Sequence, residues 1–388
     1  MQCIKCLDDI KHPMGQLLNK SGVCTGCLTH GEKNIIDWKF RHEKLNDRCY
    51  ELTKKNNAKY DCVISLNADA EDYFIVEQAL NIGLRPLLIY VNNYFGTDLS
   101  WQNLHNLETY FDLDLITINP NIHTYKEAIR TSLRKFNSIY WPYQALKTSH
   151  PVRLALEMKI PLILWGGYQA IEQTGKFSHD DMVEMTGWGR LQHDLFGITE
   201  SDFFGTGSQI SNKQKYNYYY PSIRKSKKIV GIYLSNYMRW DPWKQNHGII
   251  KYGFKPEDTS GTFDQFERSG SSVFYQIHDA LRFEKHGYLK VRDHLSREIR
   301  HGRILRKDAE EVYKNYLSQE INISPFFRWL GATDSGEKLF IKNRLPKFME
   351  YNKSHKKISF NPKSRFIKHF FSTGEKIKNK FVLYQKGI

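Results

Sequence analysis

A chain of 388 residues that is 40% hydrophobic and 14% aromatic can bury one large core or two modest ones, which excludes a disordered chain and favours about two domains. Met1 leads directly into Gln2-Cys3, and no apolar run approaches the roughly 18 residues that cross a bilayer, so the expected location is cytoplasmic. The net charge of +15 is uneven: residues 342–388 hold 13 Lys and Arg against 2 Asp and Glu, which leaves the body nearly neutral.

The first element is a cysteine cluster. Cys3, Cys6, Cys24 and Cys27 form C-x2-C-x17-C-x2-C, a spacing that places two tight knuckles around a tetrahedral zinc ion. Four thiolates leave no open coordination position, so the expected zinc is structural. Cys49 and Cys62 stand alone and read as small core residues. After the knuckles, the apolar spacing of residues 37–56 predicts a linker helix.

Strand and helix patterns then alternate. Residues 60–66 read as a strand, 69–83 as a helix with acids in its first turn, and 85–93 as a strand. Residues 101–111 read as a helix, 113–120 as a strand, 124–136 and 151–159 as helices, and 160–167 as a strand. This alternation predicts an α/β fold with a doubly wound, mainly parallel sheet and ligands at the carboxyl ends of its strands. The turn at 65–70 sits at that edge, where a nucleotide phosphate is expected against a helix N-terminus. From about residue 230 the pattern turns helical, at 271–287, 292–304 and 305–318. The expected organisation is a zinc module over 1–35, an α/β domain over 36–228, a helical region over 229–330 and a basic extension over 331–388. Aromatics among the basic residues suit peripheral attachment of that extension to an anionic membrane.

The order of these motifs resembles the N-acetyl sugar amidotransferase family of the PP-loop ATP pyrophosphatase superfamily. The resemblance is carried by the four-cysteine module, the strand running into Ser65-x-x-x-Asp69, "LRPLLIYVNN", "IPLILWGG", "SGTF" and "REIRHGRILRKDAEEVYKNY", and covers about residues 1–330. It implies a bacterial enzyme of lipopolysaccharide, O-antigen or related surface glycan synthesis, which converts an N-acetyl group of a nucleotide-linked or free sugar to an acetamidino group. ATP would adenylate the amide oxygen, and ammonia from separate glutaminase subunits would then displace AMP.

The family's S-G-G-x-D-S loop maps onto Ser65, Leu66, Asn67, Ala68, Asp69 and Ala70, keeping Ser65 and Asp69 and losing both glycines. The resemblance assigns these six residues to ATP, with Asp69 on Mg2+, Asn67 as the residue best able to take the left-handed turn, and Gly166 and Gly167 as further contacts. Glu172 is a candidate catalytic carboxylate. Arg297, Arg300 and Arg303 recur every third residue, and Arg300 is the candidate for phosphate or substrate. Two other readings stand beside the enzyme: a binding scaffold that has lost its phosphate site, and a tRNA-modifying PP-loop enzyme. The second is disfavoured because Cys49 and Cys62 form no C-x-x-C pair, so nucleic acid is not an expected partner.

Overall fold

The computed structural model describes residues 1–205, 210–222, 229–257, 261–267, 273–344, 349–355 and 357–360. Helix α1 (Thr25–Glu32) closes the knuckle module, and α2 (Trp38–Thr53), capped by Asp37, leads into the sheet. Five strands follow: β1 (Cys62–Leu66), β2 (Pro86–Val91), β3 (Leu115–Ile118), β4 (Leu162–Trp165) and β5 (Val230–Tyr233). All pair in parallel in the order β3-β2-β1-β4-β5. The fold is therefore the doubly wound parallel α/β class expected from the sequence.

Burial follows position in the sheet. Central β1 and β2 are buried along their whole length, and edge strand β3 is half covered, as parallel sheets with helices on both faces require. Helices α3 (Ala70–Asn81), α4 (Asp98–Tyr110), α5 (Ile122–Phe136) and α6 (Trp141–Met158) connect the strands. One apolar layer joins Ile64, Leu66, Tyr73, Val76 and Leu104, and the other joins Val63, Ile89, Val152, Ala155 and Ile163.

Three boundaries differ from the sequence reading. Helix α6 starts at Trp141, ten residues before the expected start, and Pro151 lies inside it. Proline reads as a first-turn residue, whereas here buried Trp141, Tyr143, Ala145 and Leu146 extend the helix on its N-terminal side. Strand β5 falls just past the boundary at 228. It pairs with β4, and the absent side chain of Gly231 makes room for Met185. The region after 330 is also more than an extension. A short helix, α7 (Gln169–Glu172), follows β4, and the helical region includes α8 (Tyr275–His286), α9 (Val291–Arg300), α10 (Arg306–Leu317), α11 (Ser324–Leu330) and α12 (Asp334–Arg344). An antiparallel hairpin of β6 (Met349–Asn352) and β7 (Lys357–Phe360) follows, and Phe340, Met349 and Ile358 join the same core as Phe283, Leu295 and Tyr313. The membrane expectation rests mainly on residues 361–388, which lie outside the described residues. Among the described residues no helix is long and apolar enough to cross a membrane.

Candidate active site

A cavity of about 390 Å³ opens at the carboxyl ends of β1 and β4. Its walls include Met14, His30 and Lys33 of the knuckle module, the sheet edge with Ser65, Asp69, Glu71, Gly166 and Gly167, α6 with Gln144, Lys147 and Thr148, the later segment with Arg190 and Asp194, and α9 with Asp293, His294 and Arg297. A second cavity of about 340 Å³ shares Asn67, Asp69, Lys147, Asp194 and Lys290 with the first and extends toward Tyr140, Trp141, His278, Arg282 and Tyr288. The cleft therefore has two chambers with the loop after β1 between them.

The turn itself is built around Asp72. Its Oδ2 accepts from the backbone N–H groups of Asn67 at 2.7 Å, Ala68 at 2.6 Å and Asp69 at 3.2 Å. These amides are the natural donors of a phosphate cradle, and here a carboxylate of the same chain occupies them. The left-handed residue is Ala68, at φ 63°, rather than Asn67. Leu66, Ala68 and Ala70 pack into the core below the loop and do not line either chamber, so the expected nucleotide contacts at these three positions are not made by their side chains.

Ser65 and Asp69 are placed differently. Both line the first chamber, and Ser65 Oγ and Asp69 Oδ1 are buried with no hydrogen-bond partner among the described residues. Burial, then the neighbouring Asp72 and Glu71, raises the Asp69 carboxyl well above its ordinary range. Burial likewise raises Asp72 to about 7, opposed by the amide bonds it accepts and by Lys147, and raises Asp194 to about 6. A cation or a metal ion placed among these acids would favour their ionised forms. Ser65 and Asp69 thus fit a Mg2+-bound phosphate, whereas the amides of Asn67, Ala68 and Asp69 do not.

Gly166 and Gly167 have a local reason to be glycine. Gly167 N–H donates to Glu71 Oε1 at 2.9 Å, and a Cβ on Gly166 would meet that oxygen at 1.8 Å. A Cβ on Gly167 would strike Trp240 at 2.6 Å. Their lack of side chains admits Glu71 and Trp240, although both glycines still line the chamber.

Glu172 is buried at the end of α7 and pairs with Lys33, whose ammonium also donates to Trp240 O at 2.9 Å. Burial raises the Glu172 carboxyl and the Lys33 charge opposes the rise. Nearby His30 and His301 stack edge to face, and burial, then the Lys33 charge, pushes each down to about 2, so both imidazoles are neutral. Ser178 caps a short turn in which Asp181 Oδ2 accepts from the Ser178 N–H at 2.9 Å.

The four cysteine ligand atoms lie within 4.8 Å of one another. Cys3 and Cys27 Sγ are 3.9 Å apart and Cys6 and Cys24 Sγ 3.5 Å, which brackets the about 3.8 Å between thiolates around tetrahedral zinc. Backbone N–H groups of Lys5 and Cys24 donate to Cys3 Sγ at 3.3 and 3.2 Å, as expected for a metal knuckle. The cluster can bind a metal ion.

Arg300 points at this module rather than into open space. Its guanidinium pairs with buried Asp8, lies 3.8 Å from the sulfurs of Cys6 and Cys24, and donates to Gln173 O at 2.7 Å. Arg297 is held by Asp264 at 2.6 Å and Glu298 at 2.8 Å, and Arg303 by Asp241 at 3.1 Å and by Glu298. The arginine triplet is thus an internal ion-pair framework. A second group, Asp264, Glu267 and His294, has the spacing of metal ligands. Lys290 and Arg297 already neutralise its acids, and Thr262 Oγ1 lies 2.5 Å from His294 Nδ1.

The sequence reading missed Lys33, Lys147, Asp194, Lys290 and His294. Single polar residues inside helices and loops leave no periodic signal, and the expected helix start at 151 left Lys147 in a loop.

The sheet and cleft define a doubly wound parallel α/β domain joined to a helical region. Residues 260–365 match the family model of the C-terminal domain of WbpG-like lipopolysaccharide biosynthesis proteins. That match includes the hairpin and the start of the basic end. No curated protein matches the chain. Similar solved structures include an NMN synthetase from Francisella tularensis, at 16% identity over 47% of this chain and 92% of that one with a TM-score of 0.29. Another is an NH3-dependent NAD synthetase from Campylobacter jejuni in complex with the nitrate ion, at 11% identity over 58% of this chain and 100% of that one with a TM-score of 0.30.

Proposed function

We propose that this chain is an ATP-dependent amidotransferase that converts the N-acetyl group of a sugar to an acetamidino group in bacterial surface glycan synthesis. The observation that carries the reading is the shared cleft. One wall is the carboxyl edge of the parallel sheet, and the facing wall, Lys290 to Arg297, belongs to the segment matching the lipopolysaccharide family. The chamber at Ser65 and Asp69 suits the nucleotide. The chamber with Tyr140, Trp141 and Tyr288 suits a sugar, whose C–H faces pack on aromatic rings.

In this scheme the amide oxygen bonds to the α-phosphorus and pyrophosphate leaves. Ammonia then adds to the imidate carbon, AMP departs with that oxygen, and the nitrogen loses a proton. Asp194, buried between the chambers and raised to about 6 by that burial, has the affinity of a base near neutral pH. Mg2+ held by Asp69 would offset charge on the leaving pyrophosphate. Structural zinc in the cysteine cluster and ammonia from a separate glutaminase complete the proposal.

The test is incubation of the chain with ATP, Mg2+, ammonium and a panel of free and nucleotide-linked N-acetyl sugars. The expected result is AMP and pyrophosphate formed only with one of the sugars, with a product in which an imino group has replaced oxygen. The occupation of the loop amides by Asp72 favours a second reading, a scaffold without nucleotide chemistry. Absence of sugar-dependent AMP across the panel would support it.

A further inference from the structure

We propose that Lys147, and not the amides of the loop after β1, receives the phosphate charge of the nucleotide in this cleft. The inference rests on the ATP reading above and deepens it, because it names the group that replaces the missing glycine-lined cradle.

The amide nest is taken. One oxygen of Asp72 holds the N–H groups of residues 67, 68 and 69. A phosphate would have to expel a buried carboxylate and then sit beside Asp69 and Glu71, which adds negative charge to negative charge.

Of the lysines and arginines lining the first chamber, Lys33 is paired with Glu172, Arg190 with Glu200 at 2.7 Å and Lys290 with Glu267 and Asp293 at 3.5 Å. Arg297 is paired with Asp264 and Arg300 with Asp8. Lys147 is the remaining one, and among the described residues no carboxylate lies within 4.0 Å of its ammonium.

Its placement suits the task. Lys147 is half-buried on α6, where Gln144 one turn earlier and Thr148 also line the first chamber, so this face of the helix looks into the cleft. It belongs to the walls of both chambers, which is where a phosphate bridging nucleotide and acceptor would lie. Ser65 Oγ is buried without a partner among the described residues and can donate to that phosphate, while Asp69 Oδ1, likewise buried without a partner, is placed to hold the Mg2+ that accompanies it. An ammonium on a flexible stem serves as a point charge for phosphate without needing the close backbone approach that glycine permits.

The test is calorimetric binding of pyrophosphate, with and without Mg2+, to the full chain and to Lys147→Met, Lys147→Arg and Asp72→Ala, with circular dichroism confirming the fold of each. The expected result is Mg2+-dependent binding that Lys147→Met weakens about tenfold or more, as loss of a charged hydrogen bond does, and that Lys147→Arg keeps within about threefold. A folded Lys147→Met with wild-type affinity would overturn the inference and leave the ATP reading standing. Rescue of Lys147→Met by Asp72→Ala would also overturn it, since the freed amides would then be the cradle. If Lys147→Met does not fold, the arginine variant and the ionic-strength dependence of wild-type binding decide: affinity insensitive to salt contradicts a lysine point charge. Wild-type protein that binds no pyrophosphate overturns the inference, and sugar-dependent AMP formation then reports separately on the function.

Discussion

The knuckle module and the loop after β1 face the same cleft and show opposite relations between sequence and site. In the module the ligands are side chains, so C-x2-C-x17-C-x2-C states the chemistry directly and the sulfurs stand at metal-binding separations. In the loop the expected ligands are backbone amides, and the sequence states only whether small residues leave them open. Here they are not open, because Asp72 fills them. A site carried by side chains survives or fails with identifiable residues, whereas one carried by the backbone can keep its position and lose its function to a neighbour.

The largest effect is expected where a ligand is removed from the module. Cys24→Ser should abolish stoichiometric zinc, since structural zinc contributes on the order of 10 kcal/mol of apparent binding free energy in small modules. The loss should spread, because Asp8, Asp9 and Lys33 anchor the module to Arg292, Arg300 and Glu172. Metal analysis should show no zinc, and hydrogen exchange should rise across residues 1–33 and in α9. Loosening confined to the module would show that the two are uncoupled.

Arg300→Met comes next. It leaves the fully buried Asp8 with fewer partners, and removing one member of a buried ion pair costs on the order of 3 kcal/mol. Arg292 at 3.9 Å and Ser296 at 2.9 Å remain and moderate the loss. Denaturant unfolding measures it, and an unchanged midpoint would return Arg300 to the status of a substrate contact.

Asp72→Asn tests the loop. Burial, opposed by the amides and Lys147, raises the folded Asp72 to about 7, so the folded state holds a proton that the unfolded chain releases above the ordinary carboxylate range. This group therefore lowers stability progressively as pH rises from about 4 to about 7. Asp72→Asn removes the dependence. Relative to wild type it should gain stability between pH 5 and pH 7, by at most about 1.4 kcal/mol per pH unit, in urea titrations at pH 5, 6 and 7. A difference that does not change with pH would mean that Asp72 is ionised throughout.

The sheet was legible because its signals are repetitive: β1, β2 and β4 are continuous apolar runs and α3 begins with acids. β5 was missed because Gly231, needed to admit Met185, breaks the strand pattern. α6 was shortened because Pro151 reads as a helix start. In the site, the cysteines, Ser65 and Asp69 were legible as side chains with a fixed spacing. Lys147 and Asp194 were not, since what marks them is burial and the pairing of their neighbours, both properties of the folded chain.

The smallest effect separates loop shape from loop chemistry. Ala68 holds φ 63° and is 4% exposed. An L side chain in this region costs about 1–2 kcal/mol, which Ala68→Gly would relieve. The substitution also gives up a buried methyl, about 0.8 kcal/mol, and adds chain entropy to the unfolded state, about 0.5–1 kcal/mol. The terms nearly cancel, so stability should change by less than about 1 kcal/mol. Pyrophosphate affinity should not change, because the amide of residue 68 still donates to Asp72. Leu66→Gly, which restores the first glycine of the S-G-G-x-D-S pattern, should instead cost about 2–5 kcal/mol by emptying a fully buried core position. If Ala68→Gly strengthens binding several-fold, the loop is limited by its shape and the amides are available to phosphate. If it leaves binding unchanged, the limit is the Asp72 carboxylate, and the contrast with the cysteine module is one of occupied backbone against open side chains.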